Sequence, residues 1–350
     1  MGLTANALLG AIRAIGEETR LRIVALLQHG ELTVSDLTDI LGQSQPRISR
    51  HLKLLAEAGV VDKHREGTWA FFELAADGVI GGLVVDLLGR TDPHDRVLAA
   101  DLDRLAIVRS RRAAAAQEYF AAIAERWDEE RLLHAPDATV EALLLETIGD
   151  HRFETVLDLG TGTGRMLQIL AQHAAAHRHP IRRAVGLDSS HSMLAVARSN
   201  LERVELRNVD LRQGDVYRPP FESDSFDLIV IHQVLHFLDD PARAVREAAT
   251  LLAPNGRLVI VDFAPHGLEF LRTDHAHRRL GFRTDTVTAW LDQCGLDVSS
   301  TRTIDPPSGA TGERLTVSLW LATDRRQPRA TTPTSAATST GQEPHLEVSS

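Results

Sequence analysis

The stretch Val156 to Met166, VLDLGTGTGRM, sets three glycines at alternate positions, the first of them two residues after Asp158. A glycine turn between a buried strand and a helix lets backbone approach a ligand that a Cβ would block, and the helix start offers unpaired N–H groups. Three classes of ligand compete for such a turn. A phosphate-cradling loop follows its glycines with Lys and then Ser or Thr, whereas Gly164 is followed by Arg165 and Met166. A dinucleotide fingerprint spaces its last glycine three residues after the second; the alternation of Gly160, Gly162 and Gly164 disfavours NAD. Two further sets of residues could do chemistry. Gln45, Arg47, Ser49, Arg50 and Lys53 crowd one helical stretch, where charge alone implies no more than a solvated face. His232 and His236, then Asp262 and His266, follow two apolar runs, at the strand ends where open α/β sheets hold ligands; a structural role accounts for each single histidine equally well.

The elements that must position these residues can be read from periodicity and breakers. ALLGAIRAI and TRLRIVALLQHG repeat apolar residues at helical spacing, and TVSDLTDILG opens on a Thr33 or Ser35 cap and stops at Gly42. The next helix starts at Ser44, a favourable N-cap residue, with Pro46 tolerated in the first turn. After Gly59 the period changes to two, and VVDKHR, a turn at Glu66-Gly67 and TWAFFEL predict a hairpin. Residues 79 to 135 read as helical, most clearly in RRAAAAQEYFAAIAERWDEER. From Thr155 onward TVLDLG, RAVGLD, VELRNVD, FDLIVIHQV, GRLVIVDF, LDVSSTRTI and LTVSLWLATD predict seven strands; helical stretches between most of them argue a doubly wound, mostly parallel sheet. Beyond Arg326 the chain is rich in Ser, Thr and Pro, a composition of disorder.

Bulk composition bounds the rest. With 350 residues, 43% of them hydrophobic, the chain exceeds a single core, which rarely grows past about 250 residues. A net charge of -10 confines any nucleic-acid contact to a local patch. The single cysteine, Cys294, excludes an internal disulfide framework and any thiolate metal cluster within one chain. No signal peptide and no apolar run of spanning length is predicted, so the expectation is a cytoplasmic protein without a membrane partner.

The glycine run resembles motif I of the class I S-adenosylmethionine-dependent methyltransferases, and the resemblance continues in register over residues 155 to 262. It implies that Asp158, Gly160, Thr161, Gly162 and Gly164 bind the cofactor's methionine end. Asp188, closing the second strand, would bind the ribose hydroxyls by charge-assisted bonds, Ser189 and Met193 would flank the adenine, Asp215 and Val216 would meet its amino side, and His232 ends the fourth strand beside it. Tyr119, Phe120 and Trp127 match the aromatic helix that such enzymes fold over the cofactor; ordinary core packing explains them equally. His232 and His236 are the weak catalytic candidates. Methyl transfer is an in-line displacement that leaves no obligatory catalytic residue in sequence, so enzymatic activity stays open.

Residues 12 to 75 resemble the winged helix-turn-helix of ArsR-type bacterial repressors, through IGEETRLRIVALL, ELTVSDL and SQPRISRHLKLLAEAGVV. The resemblance implies a recognition helix from Ser44 to Ala58, presenting Ser44, Gln45, Arg47, Ser49, Arg50 and Lys53 to the groove, with Lys63, His64 and Arg65 on the wing for phosphates. It also implies a homodimer on a near-palindromic double-stranded operator, paired through Ala7 to Ile15 and the helices after Ala76. Metal-sensing members carry cysteines where this chain has Thr33 and Ser35, and hydroxyls are poor ligands for soft ions; His94 stands alone on the later helix. No metal site is expected, and S-adenosylmethionine or S-adenosylhomocysteine becomes the expected effector.

The expected architecture is therefore α/β: a winged helix-turn-helix over residues 1–90, mostly α with a β-hairpin wing; a helical linker and cofactor cap over 91–135; a Rossmann-like seven-stranded methyltransferase sheet over 136–326; and a disordered tail over 327–350. The expected function is a DNA-binding transcription regulator carrying a cofactor-binding methyltransferase domain. The alternative is an active enzyme for a small-molecule acceptor, with the first domain placing or dimerising it. One cysteine is too few for arsenite methylation, and HQVLHF lacks the motif of enzymes that methylate DNA amines.

Overall fold

The computed structural model describes residues 3–66, 68–75, 78–92, 94–124, 137–204, 209–305 and 315–326. Trp127 and the predicted tail lie outside them. In the first half, helices α1 (Ala5–Ile15), α2 (Glu18–Leu27), α3 (Val34–Leu41) and α4 (Gln45–Glu57) precede a hairpin of β2 (Val61–Glu66) and β3 (Trp69–Leu74). The short β1 (Leu32–Thr33) pairs with the free edge of β3, giving an antiparallel sheet of order β1-β3-β2. Helix α3 is fixed at both ends by local chemistry. Thr33 and Asp36 exchange side-chain and backbone bonds in a capping box, and Gly42 stops the helix in the left-handed conformation. Ser44 occupies the N-cap position of α4 without a side-chain capping bond. Ile48, Leu52 and Leu55 put one face of α4 into a core shared with Ile23, Leu26 and Leu37.

Helices α5 (Val79–Leu88) and α6 (Arg96–Ile123) follow. The first half of α6 belongs to the N-terminal core: Leu105 is buried in it, and Asp101, also buried, takes both guanidinium donors of Arg22 at 2.7 and 2.8 Å.

In the second half, α7 (Asp137–Ile148), β4 (Thr155–Leu159), α8 (Arg165–Ala176), β5 (Arg183–Asp188), α9 (His191–Arg203) and β6 (Val209–Gln213) lead to β7 (Phe226–His232), α10 (Pro241–Leu251) and β8 (Leu252–Phe263). Then come α11 (Phe270–Asp274), α12 (Thr284–Gln293), β9 (Leu296–Ile304) and β10 (Val317–Asp324). The seven strands stand in the order β6-β5-β4-β7-β8-β10-β9, with only β10 antiparallel to its neighbours. The central strands are mostly apolar because both faces are covered. Leu157, Ile229 and Ile260 enter the core that also takes Val245, Leu291 and Trp320, while their neighbours Val156, Leu228 and Val259 pack with Leu144 and Leu170 on the other face. The third strand departs from expectation: it runs over Val209–Gln213, not 204–210. Val204 caps the C-terminus of α9, and Val209 and Leu211 are the apolar pair that reaches the core around Leu167 and Leu201. Among the described residues no helix is long and apolar enough to cross a membrane.

Candidate cofactor cavity and nucleic-acid face

The chain turns outward from β4 to β5 and β6, then returns to place β7 on the other side of β4. The crevice at the carboxyl ends of β4 and β7 is the switch point at which open α/β sheets bind ligands, and the glycine turn sits there. Gly160 and Thr161 both donate to the Leu187 carbonyl, at 2.8 and 3.0 Å. Gly160 has φ 76°, and a Cβ built on it would run into the Val234 side chain; glycine is thus demanded by both conformation and space. Asp158 is buried and accepts the Thr161 hydroxyl at 2.7 Å, which braces the turn from beneath.

Asp188 faces the same turn. One carboxylate oxygen accepts the Gly162 N–H at 2.9 Å, and the other accepts the Ser190 N–H at 2.8 Å. Burial pushes this carboxyl above the usual aspartate range against those backbone donors, which pull it down. A carboxylate offers about four lone-pair positions, so beside its backbone donors it keeps acceptor capacity for a ligand hydroxyl. Ser190 caps α9 by accepting the Met193 N–H, and the Gln213 amide ties β6 to the Ser189 carbonyl at 3.0 Å.

These groups line one cavity of about 1270 Å³. Asp158, Gly160, Thr161, Gly162 and Asp188 share its wall with Ser189, Met193, Asp215, Val216 and His232. Gly164 is not on that wall: it caps α8 with φ 81°, and a Cβ there would press on Ala197 of α9 at 3.3 Å. His236 is also displaced from the cavity. Its ring is buried, with Nδ1 2.7 Å from the Asp262 carboxylate. His266, half-buried, accepts the Leu268 N–H and stacks edge-on to Phe263. His236 follows the turn after β7, where Gln233 takes a left-handed φ of 53° and its N–H donates to the Val261 carbonyl.

The roof comes from the first half of the chain. Tyr119 and Phe120 on α6 line the cavity, as do Arg109, Arg112 and Trp69 of β3. Periodicity gave no sign of Trp69 or of the segment Arg272 to Arg278, because both reach the cavity only through long-range packing.

The outward face of α4 is the second candidate site. Ser44, Gln45, Arg47, Ser49, Arg50 and Lys53 are all exposed, as are Lys63 and Arg65 on β2. Lys53 meets Glu57 at 3.8 Å, a surface pair of little energetic consequence. His64 differs from the expectation: strand alternation turns it to the opposite face from Lys63 and Arg65, where it stacks on Phe71 at 5.4 Å and lies 3.7 Å from Glu31. Glu31, His64 and Glu73 bring possible ligand atoms within 4.8 Å of one another, but the Arg279 guanidinium already holds Glu31 at 2.5 Å.

That inner face of the wing is clamped by the methyltransferase half. The guanidiniums of Arg272 and Arg278 lie over the Trp69 ring at 4.6 and 5.5 Å, and that of Arg279 over Phe71 at 4.1 Å. Asp36, inside the α3 capping box, pairs with Arg112 and with Arg278, and both arginines also reach Asp239. Burial and the neighbouring Arg278 push Arg112 down to about 10. The backbone N–H groups of Arg278 and Arg279 donate to the His236 carbonyl at 2.8 and 2.9 Å.

A hairpin wing and helix-turn-helix are joined to a seven-stranded sheet with a glycine turn at its switch point. Residues 17–63 match the family of bacterial regulatory proteins of the arsR type, and residues 157–260 match a methyltransferase domain. The chain joins an ArsR-type helix-turn-helix region to a methyltransferase domain. It is 48% identical over 64 residues to the arsenical resistance operon repressor of Escherichia coli, covering 18% of this chain and 55% of that one. It is 33% identical over 140 residues to the methyltransferase YcgJ of Bacillus subtilis, covering 39% and 51%, and 36% identical over 120 residues to a 37.1 kDa protein of transposon TN4556 from Streptomyces fradiae, covering 34% and 33%. The chain thus spans between a third and about half the length of these relatives.

Proposed function

We propose that this protein is a cytoplasmic, homodimeric transcription regulator whose affinity for a double-stranded operator is tuned by S-adenosylmethionine or S-adenosylhomocysteine bound at the glycine turn. The observation that carries the reading is the shared cavity: the wall holding Gly160 and Asp188 faces a wall built from α6 and from Trp69 of the wing. The residues present fit the cofactor. The glycine turn lays backbone along the cavity wall, Asp188 keeps acceptor capacity for a ribose hydroxyl, and Met193 with Val216 offers apolar flanks to a flat base. When bound, the cofactor brings a methyl group on a sulfonium, available to a small-molecule acceptor in the same cavity.

The protein's own part is coupling. Arg278 and Arg279 join the His236 carbonyl, just past β7, to Asp36 and Glu31 beneath the recognition helix and to the inner face of the wing. A ligand that shifts the end of β7 therefore acts on the groups that set the wing against α4. Pairing of two copies is supported by apolar side chains left exposed on α1 and on α5 and α6: Leu9 at 48%, Ile12 at 46%, Val79 at 56% and Val97 at 46%. The test is fluorescence anisotropy of labelled DNA from the gene's own upstream region, titrated with the full chain with and without each nucleoside. A change of several-fold in affinity, of order 1 kcal/mol or more, is expected; DNA binding that ignores both nucleosides would refute the tuning.

A further inference from the structure

The tip of the hairpin is held from outside the first half of the chain. Glu66 and Trp69 are the last cross-strand pair of β2 and β3, which leaves Thr68, an exposed residue, in the turn. Its backbone N–H donates to Oε1 of Glu269 at 2.6 Å, across 201 residues of sequence. Glu269 immediately precedes α11, where its side chain could cap its own helix, yet it makes no such capping bond. The other carboxylate oxygen lies 3.4 Å from Nε of Arg272, and the Arg272 guanidinium sits over the Trp69 ring at 4.6 Å. Two residues of the methyltransferase half therefore grip two consecutive residues of the wing, one by its backbone and one by its ring.

What sits on the Thr68 amide is an anion. Backbone N–H groups are among the donors that hold DNA phosphates, and a carboxylate on such a group makes the same kind of charge-assisted bond. We propose that Glu269 occupies the wing tip in place of a DNA phosphate and restrains DNA binding until it is withdrawn. The inference rests on the reading of α4 and the wing as a DNA face. Lys63 and Arg65, exposed on β2, draw the hairpin toward the backbone of a duplex, and a phosphate that reaches the Thr68 amide meets a carboxylate already bound there. Competition for the donor is joined by repulsion, because a fixed negative charge within a Debye length of about 8 Å acts on a phosphate with little screening. The Glu269 side chain is 34% exposed, so it can turn into solvent without unpacking a core. Arg272 also lines the cavity, so the wing tip, Glu269, Arg272 and the cavity wall form one continuous line of contacts.

The test is fluorescence anisotropy of a labelled duplex from the gene's own upstream region, titrated with the full chain at several salt concentrations. Three variants are compared with the native protein. Glu269→Gln keeps an acceptor for the Thr68 N–H but removes the charge, and Glu269→Ala removes both. Asp150→Asn removes one exposed charge from the connection between α7 and β4, at the amino ends of the strands and away from the wing. Glu269→Gln should bind about three- to ten-fold more tightly at about 50 mM salt, Glu269→Ala at least as tightly as that, and Asp150→Asn within about two-fold of native. Removing a charge that opposes a phosphate acts like neutralising one more phosphate, so the salt slope steepens by about 0.9 and the gain shrinks about three-fold between about 50 and 200 mM. Circular dichroism and melting temperature show that the variants fold as the native chain does. Native DNA binding that Glu269→Gln leaves unchanged or weakens would overturn the restraint, and so would equal tightening by Asp150→Asn, which would reduce the effect to net charge. No binding by any of the four chains at the lowest salt, with native circular dichroism, overturns instead the reading of α4 and the wing as a DNA face.

Discussion

Asp188→Asn isolates the group proposed to recognise the cofactor. In the native protein the two carboxylate oxygens take backbone donors, Gly162 at 2.9 Å and Ser190 at 2.8 Å, and keep acceptor capacity for a ligand hydroxyl. Asparagine retains a single oxygen. Whichever backbone N–H that oxygen serves, the amide NH₂ faces the other, and at least one ribose hydroxyl loses a charged acceptor. A hydrogen bond to a charged group contributes about 1.5–3 kcal/mol, which at about 1.4 kcal/mol per factor of ten is a loss of roughly 12- to 150-fold in affinity. Isothermal titration with S-adenosylhomocysteine measures it, and an affinity within two-fold of the native protein would refute the argument. Acidity should produce the same loss in the native chain. Burial holds the Asp188 carboxyl above the aspartate range, so as pH falls it takes up its proton earlier than an exposed aspartate, and one acceptor becomes a donor facing a backbone N–H. Affinity is then flat at neutral and alkaline pH and declines on acidification; the Asn variant, having no proton to gain there, loses this dependence.

Gly160→Ala would impose a left-handed conformation on an L-residue, about 1–2 kcal/mol, and overpack against Val234, about 1–3 kcal/mol more; thermal unfolding should show the sum, and Val234→Ala in the same chain should return part of it. Arg50→Glu should weaken binding to double-stranded DNA by about 1–3 kcal/mol, and Lys63→Ala should lower the salt dependence of binding by about one counterion unit while weakening all sequences alike; both are read by anisotropy at several salt concentrations. Asp36→Ala would leave Arg112 and Arg278 with Asp239 but without Asp36, a partial loss that should cost less than the about 3–5 kcal/mol of fully breaking a buried pair; a melting temperature unchanged from the native protein would show that the clamp contributes nothing.

Much of this arrangement can be read directly from sequence, because it is written locally. The Thr33–Asp36 capping box, the stop at Gly42, the apolar face Ile48, Leu52 and Leu55, and the acidic residue ending β5 each depend on neighbours a few positions away. What sequence left hidden depends on distant packing. His64 follows two basic neighbours, yet the pleat turns it inward to Phe71; the third strand begins later than its apolar residues suggest, because Val204 still belongs to a helix end. His236 is a polar residue after a strand like His232, yet one faces the cavity and the other, beyond the left-handed turn at Gln233, faces Asp262. The clamp of Arg112, Arg278 and Arg279 on Asp36 and Glu31 joins residues separated by most of the chain, and no spacing rule reaches so far.

Helix α6 imposes a phase on the whole molecule. Its 28 residues make a rod of about 42 Å at 1.5 Å per residue; Asp101 and Leu105 are seated in the helix-turn-helix half, and Tyr119 and Phe120 roof the cavity. One residue inserted between these stretches would rotate everything downstream by about 100° and swing the aromatic roof off its site, though both halves could still fold. Seven inserted residues would restore the facing to within about 20° but move the halves some 10 Å apart at 1.5 Å per residue. A foreign DNA-reading head could therefore be grafted onto this methyltransferase domain only with its junction cut outside α6, or with whole turns preserved and the clamp rebuilt. The two halves work less as beads on a string than as cams keyed to one shaft.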